Sequence, residues 1–286
     1  MQSVLLEGRP LADKIKKELT VEIARIKQDK DFLPNLAAIQ VGDNQGASVY
    51  INAQKKFAEN IGIQYLHYKL ADSVKEAEVV STIYDLNKDK KITGIIIIAP
   101  VPKNINYQEL IYKINPEKDV EGMHPENLGF LTLGKPRFSP CAPQAIIEIL
   151  KNYNIGLYGK EVVIVGSSEI VGKPLVLLLL KEFATVTVCH IATYEAGKLI
   201  SHTKEADILI SAVGKPNLIK SDWIKKAAVV VDVGISRVGD RLVGDIDFSE
   251  AIKKASFITP VPGGVGPLTT AILMKNVVSA YRVQEK

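Results

Sequence analysis

Cysteine is scarce: Cys141 and Cys189 are the only two in 286 residues. Two thiols cannot build a cysteine metal cluster, and they suggest no disulfide framework. The four histidines, at 67, 124, 190 and 202, are scattered without the spacing of a metal site. Neither sign of charge dominates, since 36 Lys and Arg are interspersed with 32 Asp and Glu for a net charge of +4. Such a balance asks for no nucleic-acid partner, and a small anion is enough to explain any local positive patch. Long apolar runs are also lacking. "LVLLLL" at 175–180 is far too short to cross a membrane. The opening "MQSVLLEGRPLADKIKKEL" does not have the basic-then-apolar layout of a secretory signal. No internal repeat or low-complexity tract is present. The expectation is a soluble, cytoplasmic protein with neither a membrane nor a nucleic-acid partner.

What is present is an alternation of helix-like and strand-like segments in a chain long enough for one large domain or two ordinary ones. Residues 10–29 carry apolar positions at helical spacing. "NLAAIQVG" (35–42) reads as a buried strand, 46–61 as a helix, "IQYLHYKL" (63–70) as a strand and 73–89 as an amphipathic helix. "TGIIIIAP" (93–100) is an apolar, β-branched strand stopped by proline. From 118 to 143 the periodicity lapses into a Gly- and Pro-rich stretch, which reads as a functional loop and a boundary. Beyond it "AIIEILKNYN" is a helix, "EVVIVGSS" (161–168) a strand and "VGKPLVLLLLKEF" a helix. "ATVTVCH" (184–190), "ADILISAVG" (206–214) and "AAVVVDVGI" (227–235) supply further buried strands, and "AILMKNVVSAYRV" closes the chain as a helix. This rhythm predicts an α/β fold with parallel sheets covered by helices.

"VVIVGSSEIVGKP" (162–174) places Gly166 directly after an apolar strand and Gly172 at the start of a helix. A dinucleotide turn needs glycine there so that backbone N–H groups can approach a pyrophosphate at a helix N-terminus. Ser168 occupies the middle glycine position, so the context of strand, turn, helix and second strand carries more weight than the motif alone. A tight β–α turn with no ligand is the plain alternative. Neither the acidic residue of a NAD site nor a basic or hydroxyl cluster follows the second strand, where Ile191 and Ala192 stand. The choice between NAD and NADP is therefore open at this level.

The blocks "TPVPGGVGPLT" (259–269), "VGSSEIVGKP", "VDVGIS" (231–236), "GDIDF" (244–248), "SPCAP" (139–143), "SAVGKP" (211–216) and "KDVEGMHP" (118–125) occur in one order along the chain. In them the sequence resembles the bifunctional methylenetetrahydrofolate dehydrogenase/methenyltetrahydrofolate cyclohydrolase family over essentially its whole length. The resemblance implies two domains with a cleft between them. The first, 1–140, is a folate-binding, catalytic α/β domain joined by the closing helix 271–286. The second, 141–270, is a Rossmann-like NAD(P)-binding domain. A homodimer and a small folate substrate are implied as partners. Nucleotide contacts are implied at Gly166, Ser167, Ser168, Ile170, Val171, Gly172, His190, Ala212, Val213, Gly214, Gly234 and Ile235. Folate contacts are implied at Tyr50, Glu121, Pro262, Gly263 and Gly264, with Pro260 nearby.

The family's catalytic set is a Tyr-x-x-x-Lys pair on the second helix, a Gln ending a G-hydrophobic-hydrophobic-V-Q-L-P strand, and the second Asp of D-V-D-G. Here Tyr50 fits, but the Lys position holds Gln54, the Gln position Ile98 and the Asp position Glu121. Ala47 stands three places before the Tyr, where the family has Ser. Lys55 and Lys56 cannot substitute. A helix turns ~100° per residue, so position 54 lies about 40° from Tyr50 while 55 and 56 lie about 140° and 160° away. The resemblance with these departures implies a dehydrogenase whose cyclohydrolase activity is lost or strongly reduced. A non-catalytic folate- or nucleotide-binding paralogue and a dehydrogenase for a different pterin are the alternatives.

Overall fold

A computed structural model describes residues 3–29, 32–239 and 241–285. In chain order its elements begin with β1 (Val4–Leu5), α1 (Arg9–Asp29), β2 (Asn35–Val41), α2 (Gln45–Ile61) and β3 (Gln64–Leu70). There follow α3 (Glu76–Lys88), β4 (Gly94–Ile98), α4 (Tyr107–Lys113), α5 (Pro125–Thr132) and α6 (Cys141–Asn152). Next come β5 (Glu161–Val165), α7 (Gly172–Lys181), β6 (Thr185–Cys189), α8 (Ile191–Glu195), α9 (Leu199–Glu205) and β7 (Ile208–Ser211). The chain ends with β8 (Val229–Asp232), β9 (Ser236–Val238), β10 (Arg241–Val243), α10 (Phe248–Ala251), β11 (Phe257–Ile258) and α11 (Val265–Gln284).

Two compact units result: residues 1–12 with 140–269, and residues 13–139 with 270–286. Residues 4–5, which the sequence reading grouped with the N-terminal domain, run instead in the sheet of the unit formed by 140–269. The reason is the parallel pairing of β1 with β11, Val4 opposite Phe257 and Leu5 opposite Ile258.

The unit containing 13–139 is built on a parallel three-stranded sheet in the order β3-β2-β4. Every residue of β2 and β4 is buried, as expected for strands covered on both faces. Strand alternation sends Ala37, Ile39, Val41, Ile95 and Ile97 into one cluster with α3 and α4 residues such as Val79, Ile83 and Leu110. Gln40, Tyr65, His67 and Ile98 therefore share the opposite face, where α2 lies. Helix α2 is defined locally. The Asn44 side chain accepts from the Gly46 and Ala47 N–H groups at its start, and Gly62 ends it in the left-handed conformation at φ 90°.

The other unit holds a six-stranded sheet ordered β1-β11-β8-β7-β5-β6 with parallel pairing throughout. From β5 the chain moves to β6 on one side, then crosses to β7 on the other. That reversal puts a topological switch point at the carboxyl end of β5, where doubly wound sheets bind ligands. An antiparallel hairpin, β9–β10, stands apart from the sheet.

The stretch 118–143 is not irregular throughout, because α5 lies within it and α6 begins at Cys141. Helix α5 is opened by a His124 side chain that accepts from the Glu126 N–H at 3.1 Å and by a proline in the first turn. Eight residues span too few turns to show a periodicity. The closing helix also starts earlier, at Val265.

Candidate functional site

At the switch point Gly166 follows β5 with φ +120°, and a Cβ there would strike the Ala212 carbonyl. A Cβ on Gly172 would strike the Gly166 carbonyl and Ser167 Cα. Both glycines are therefore demanded by the turn itself, and they leave a cradle of backbone at the N-terminus of α7. Ser168 organises that cradle: its Oγ accepts from Val171 N–H at 3.2 Å and its carbonyl from Lys173 N–H at 3.0 Å. Ile170 is 46% exposed beside it. Backbone N–H groups at the start of a ten-residue helix suit a pyrophosphate, so the residues present fit a dinucleotide. Replacing Gly172 would break the turn whatever it binds, which makes Ile170 the informative position. Ile170→Asp is expected to weaken NAD(P) binding by about tenfold, ~1.4 kcal/mol, at unchanged melting temperature. A Kd within twofold of wild type in a calorimetric titration would place the nucleotide elsewhere.

The loops after β7 and β8 carry Ala212, Val213, Gly214, Gly234 and Ile235. They are tied together by two buried carboxylates, Asp232 and Asp245, that no motif marks. Asp245, fully buried, accepts from Ser211 Oγ at 3.0 Å, Val213 N–H at 2.7 Å and Lys215 N–H at 2.9 Å. Asp232 accepts from Gly234 N–H at 3.1 Å, Asp245 N–H at 3.0 Å and Ile246 N–H at 2.9 Å. Burial pushes the Asp232 carboxyl up to about 7, against the pull of those backbone donors. A Cβ on Gly234 would collide with the Asp245 carboxylate and one on Gly244 with that of Asp232. The only signal in the sequence is the presence of the blocks "VDVGIS" and "GDIDF", which says nothing of their pairing.

His190 is exposed at the end of β6, and its N–H donates to Thr193 Oγ1 at 3.2 Å to open α8. Ile191 is 69% exposed and offers no polar group. Of the nearby cations, Lys173 pairs with Glu169 at 3.2 Å and Lys215 lies 5.9 Å from the Tyr194 ring centroid. In the segment before α11, the Gly264 N–H donates to the Pro260 carbonyl at 2.8 Å and the Gly263 carbonyl accepts from Gly8 N–H at 3.0 Å. Pro262 lies between them in sequence, and Thr259 Oγ1 accepts from Asp232 N–H at 2.7 Å.

In the unit containing 13–139, polar groups gather under α2. Gln54 is fully buried, and its Oε1 accepts from the Tyr65 hydroxyl at 2.9 Å, while its Nε2 is enclosed without a partner. Glu121 is partly exposed as a residue, yet its Oε2 is enclosed and unpartnered. Burial first and the charge of Asp119 second push its carboxyl up to about 8. Burial, then Glu121, raises the Tyr65 phenol above its ordinary value; Tyr107 is raised by burial and by Glu121, Asp119 and Tyr50. Tyr50, 39% exposed, thus belongs to the same neighbourhood. Asp119 braces the loop, its Oδ2 accepting from His124 N–H at 2.7 Å and Asn127 Nδ2 at 2.8 Å.

Ile98 is 4% exposed, is Cα-paired with Gln40 and shares its sheet face. Gln40 is itself committed: Nε2 donates to the Gly42 carbonyl, and Oε1 meets His67 Nε2, both at 2.9 Å. Lys55 pairs with Glu59 at 3.9 Å on the surface and Lys56 is exposed, as the helical angles required. Tyr65, Tyr107 and Gln40 escaped the sequence reading because they match no motif.

A raised carboxyl pKa penalises the ionised form, so Glu121 costs no stability below pH ~4.5. Its cost grows as pH rises to about 8 and is full above that. Glu121→Gln should accordingly stabilise the protein at pH 9 by about 2 kcal/mol. That figure takes ~1.4 kcal/mol per pH unit and discounts it for the partial exposure of the residue. Little change is expected at pH 4.5. Equal denaturation midpoints at both pH values would show the carboxyl to be solvated.

A parallel sheet with a glycine turn and helix at its switch point makes this a Rossmann-like dinucleotide-binding protein, with a second α/β unit carrying a buried amide, carboxyl and phenol cluster. Residues 140–285 match the tetrahydrofolate dehydrogenase/cyclohydrolase NAD(P)-binding domain, and residues 6–121 match the catalytic domain of the same family. The chain belongs to the tetrahydrofolate dehydrogenase/cyclohydrolase family. The bifunctional protein FolD of Acetivibrio thermocellus is 46% identical over 287 residues, covering 100% of this chain and 99% of its own. Among solved structures, the bifunctional FolD enzyme of Campylobacter jejuni superposes with a TM-score of 0.93 at 42% identity, covering 98% of this chain and 99% of its own. The Trypanosoma brucei FolD, complexed with NADP cofactor and inhibitor, gives 0.95 at 34% identity, covering 100% and 99%. No helix among the described residues is long and apolar enough to cross a membrane, and no group of three or more His, Cys, Asp or Glu there could hold a metal ion.

Proposed function

We propose that this protein oxidises 5,10-methylenetetrahydrofolate with NAD(P)+ and that its methenyltetrahydrofolate cyclohydrolase step is lost or strongly reduced. One observation carries the second half of the reading: the side chain at the lysine position is a buried Gln54 whose acceptor oxygen is already taken by Tyr65. Bound NAD(P)+ supplies the hydride acceptor. The protein's part in that step is proximity and orientation, with Tyr50 and Glu121 holding the folate in this reading. Hydrolysis of the methenyl bridge needs more, because a water must be activated and a proton moved. Gln54 has no proton to exchange near neutral pH, and the Ile98 side chain has no polar atom. The dehydrogenase step therefore survives these replacements and the cyclohydrolase step does not.

The test combines titrations with NAD+, NADP+ and tetrahydrofolate with separate assays of methylenetetrahydrofolate oxidation and methenyltetrahydrofolate hydrolysis. Oxidation together with hydrolysis at the buffer rate is expected. Binding without turnover would instead indicate a non-catalytic paralogue, and oxidation of another reduced pterin a changed substrate. Preference between NADP+ and NAD+ is expected to stay below about a hundredfold, ~2.7 kcal/mol, because Ile191 and Ala192 offer a 2′-phosphate nothing. A larger preference would show that Ser167, Lys173 or Lys215 reads that group. Self-association as a homodimer belongs to the same proposal, with the outer edge of β6 a surface for a second copy. A monomeric mass in sedimentation would refute it.

A further inference from the structure

We propose that Asn276 is a positioning residue of the dehydrogenase: from α11 it holds the backbone that presents Glu121. The inference rests on the reading above, in which Tyr50 and Glu121 hold the folate. Glu121 Oε2 has no hydrogen-bond partner in the protein, so the backbone, more than any side-chain contact, decides where the carboxyl stands. That backbone is tethered step by step. Gln284 Nε2 donates to the Glu117 carbonyl at 2.9 Å and to the Thr93 carbonyl at 2.8 Å. The Lys118 ammonium donates to the Leu86 and Asp89 carbonyls at 2.9 and 2.7 Å, where α3 ends. The Lys118 carbonyl accepts from Ile95 N–H at 2.8 Å, and Asp119 is held by His124 and Asn127. The tether nearest Glu121 belongs to Asn276. Its Nδ2 donates to the Val120 carbonyl at 2.8 Å and to the Ser139 carbonyl at 3.0 Å from a buried position. The Val120 carbonyl lies in one rigid plane with the Glu121 N–H, so fixing that oxygen fixes the plane from which Glu121 projects. A turn of the plane by about 20° would move a carboxyl ~4 Å away by more than ~1 Å, and misplacement on that scale is costly.

The experiment compares Asn276→Leu, Gln284→Met, Glu121→Ala and the Asn276→Leu/Glu121→Ala double variant in dehydrogenase kinetics, tetrahydrofolate and NADP+ dissociation constants and melting temperature. Asn276→Leu should raise KM for methylenetetrahydrofolate about 5–10-fold, with kcat within about twofold and NADP+ affinity unchanged. A hold on the folate that is common to ground and transition states shows in KM alone. Gln284→Met removes an amide that staples the same loop from the same helix, but at Glu117. It should lower the melting temperature and leave KM within about twofold, because it is not adjacent to Glu121. In the Glu121→Ala background, Asn276→Leu should add less than about twofold, since it acts through that carboxyl. The proposal is overturned by an unchanged KM in Asn276→Leu, by an equal rise in Gln284→Met, or by a fall in kcat or NADP+ affinity alongside KM. Effects that multiply in full in the double variant overturn it too. If Asn276→Leu does not fold, Asn276→Ser takes its place, and an unchanged KM there overturns the proposal. An unchanged KM in Glu121→Ala removes the Glu121 contact from the reading above and the role of Asn276 with it. If wild type binds tetrahydrofolate but oxidises nothing, the dehydrogenase reading alone fails, and the role of Asn276 is decided from dissociation constants. No tetrahydrofolate binding at all overturns both.

Discussion

Gln54→Lys combined with Ile98→Gln should raise methenyltetrahydrofolate hydrolysis on the order of a hundredfold over wild type, the lower end of what a positioned proton-transfer group contributes. Gln54→Lys alone should raise it only a few-fold. The new ammonium would sit where Gln54 is fully buried, in the helix over the sheet face that also carries the apolar Ile98 side chain. Burial without a partner pushes a lysine pKa down and costs stability. A glutamine at 98 can accept from the ammonium and donate to the water or substrate, so it both orients the group and relieves its desolvation. Ile98→Gln alone adds a buried amide with no lysine to orient and should leave hydrolysis at the wild-type rate. The coupling between the two substitutions is the measured quantity, and neighbours in one network are expected to couple. Rapid hydrolysis by the wild type would sink this account and assign the proton transfer to another group.

Asp245→Ala should lower the melting temperature by on the order of 10 °C and weaken NAD(P) binding at least tenfold. The substitution strips the acceptor from Ser211 Oγ, Val213 N–H and Lys215 N–H at a fully buried position. Hydrogen bonds to a charged acceptor are each worth ~1.5–3 kcal/mol, and partial relaxation of the loops leaves a net loss of about 3–4 kcal/mol. For a unit of this size each kcal/mol corresponds to roughly 2–4 °C. Nucleotide affinity falls because the loop this carboxylate holds carries Val213 and Gly214. Tetrahydrofolate affinity, to which Tyr50 and Glu121 of the other unit contribute in our reading, should fall less than nucleotide affinity. Asp245→Asn keeps one acceptor and should show a smaller version of both losses. Nucleotide binding and melting temperature unchanged from wild type would mean that these loops are held by something else.

Much of the architecture was legible because its determinants are short-range. Asn44 and Gly62 bound α2 within a few residues of the groups they satisfy. The apolar runs of β2 and β4 declare burial on both faces. Gly166 and Gly172 mark a turn that only glycine permits. The same local logic showed that Lys55 and Lys56 could not face Tyr50, since helical rotation is a property of the backbone and needs no neighbour. Short elements failed this logic. Helix α5 and the two-residue strands β1 and β11 are too brief to display a period.

Residue identity along the chain names the side chains at 54, 98 and 121, Gln, Ile and Glu, on which the proposed loss of the cyclohydrolase step rests. It was silent on what surrounds them. That Tyr65 closes the Gln54 oxygen depends on α2 covering one particular face of β3. That Asp232 and Asp245 share one buried knot depends on β7 and β8 lying side by side. That β1 joins β11 depends on a pairing across some 250 residues. A turn, a cap or a period is set by atoms within about one helical turn of each other, and sequence spacing measures that distance directly. A hydrogen bond between distant residues, or a carboxyl raised by burial, is set by which elements pack together, and the packed fold alone supplies that neighbour.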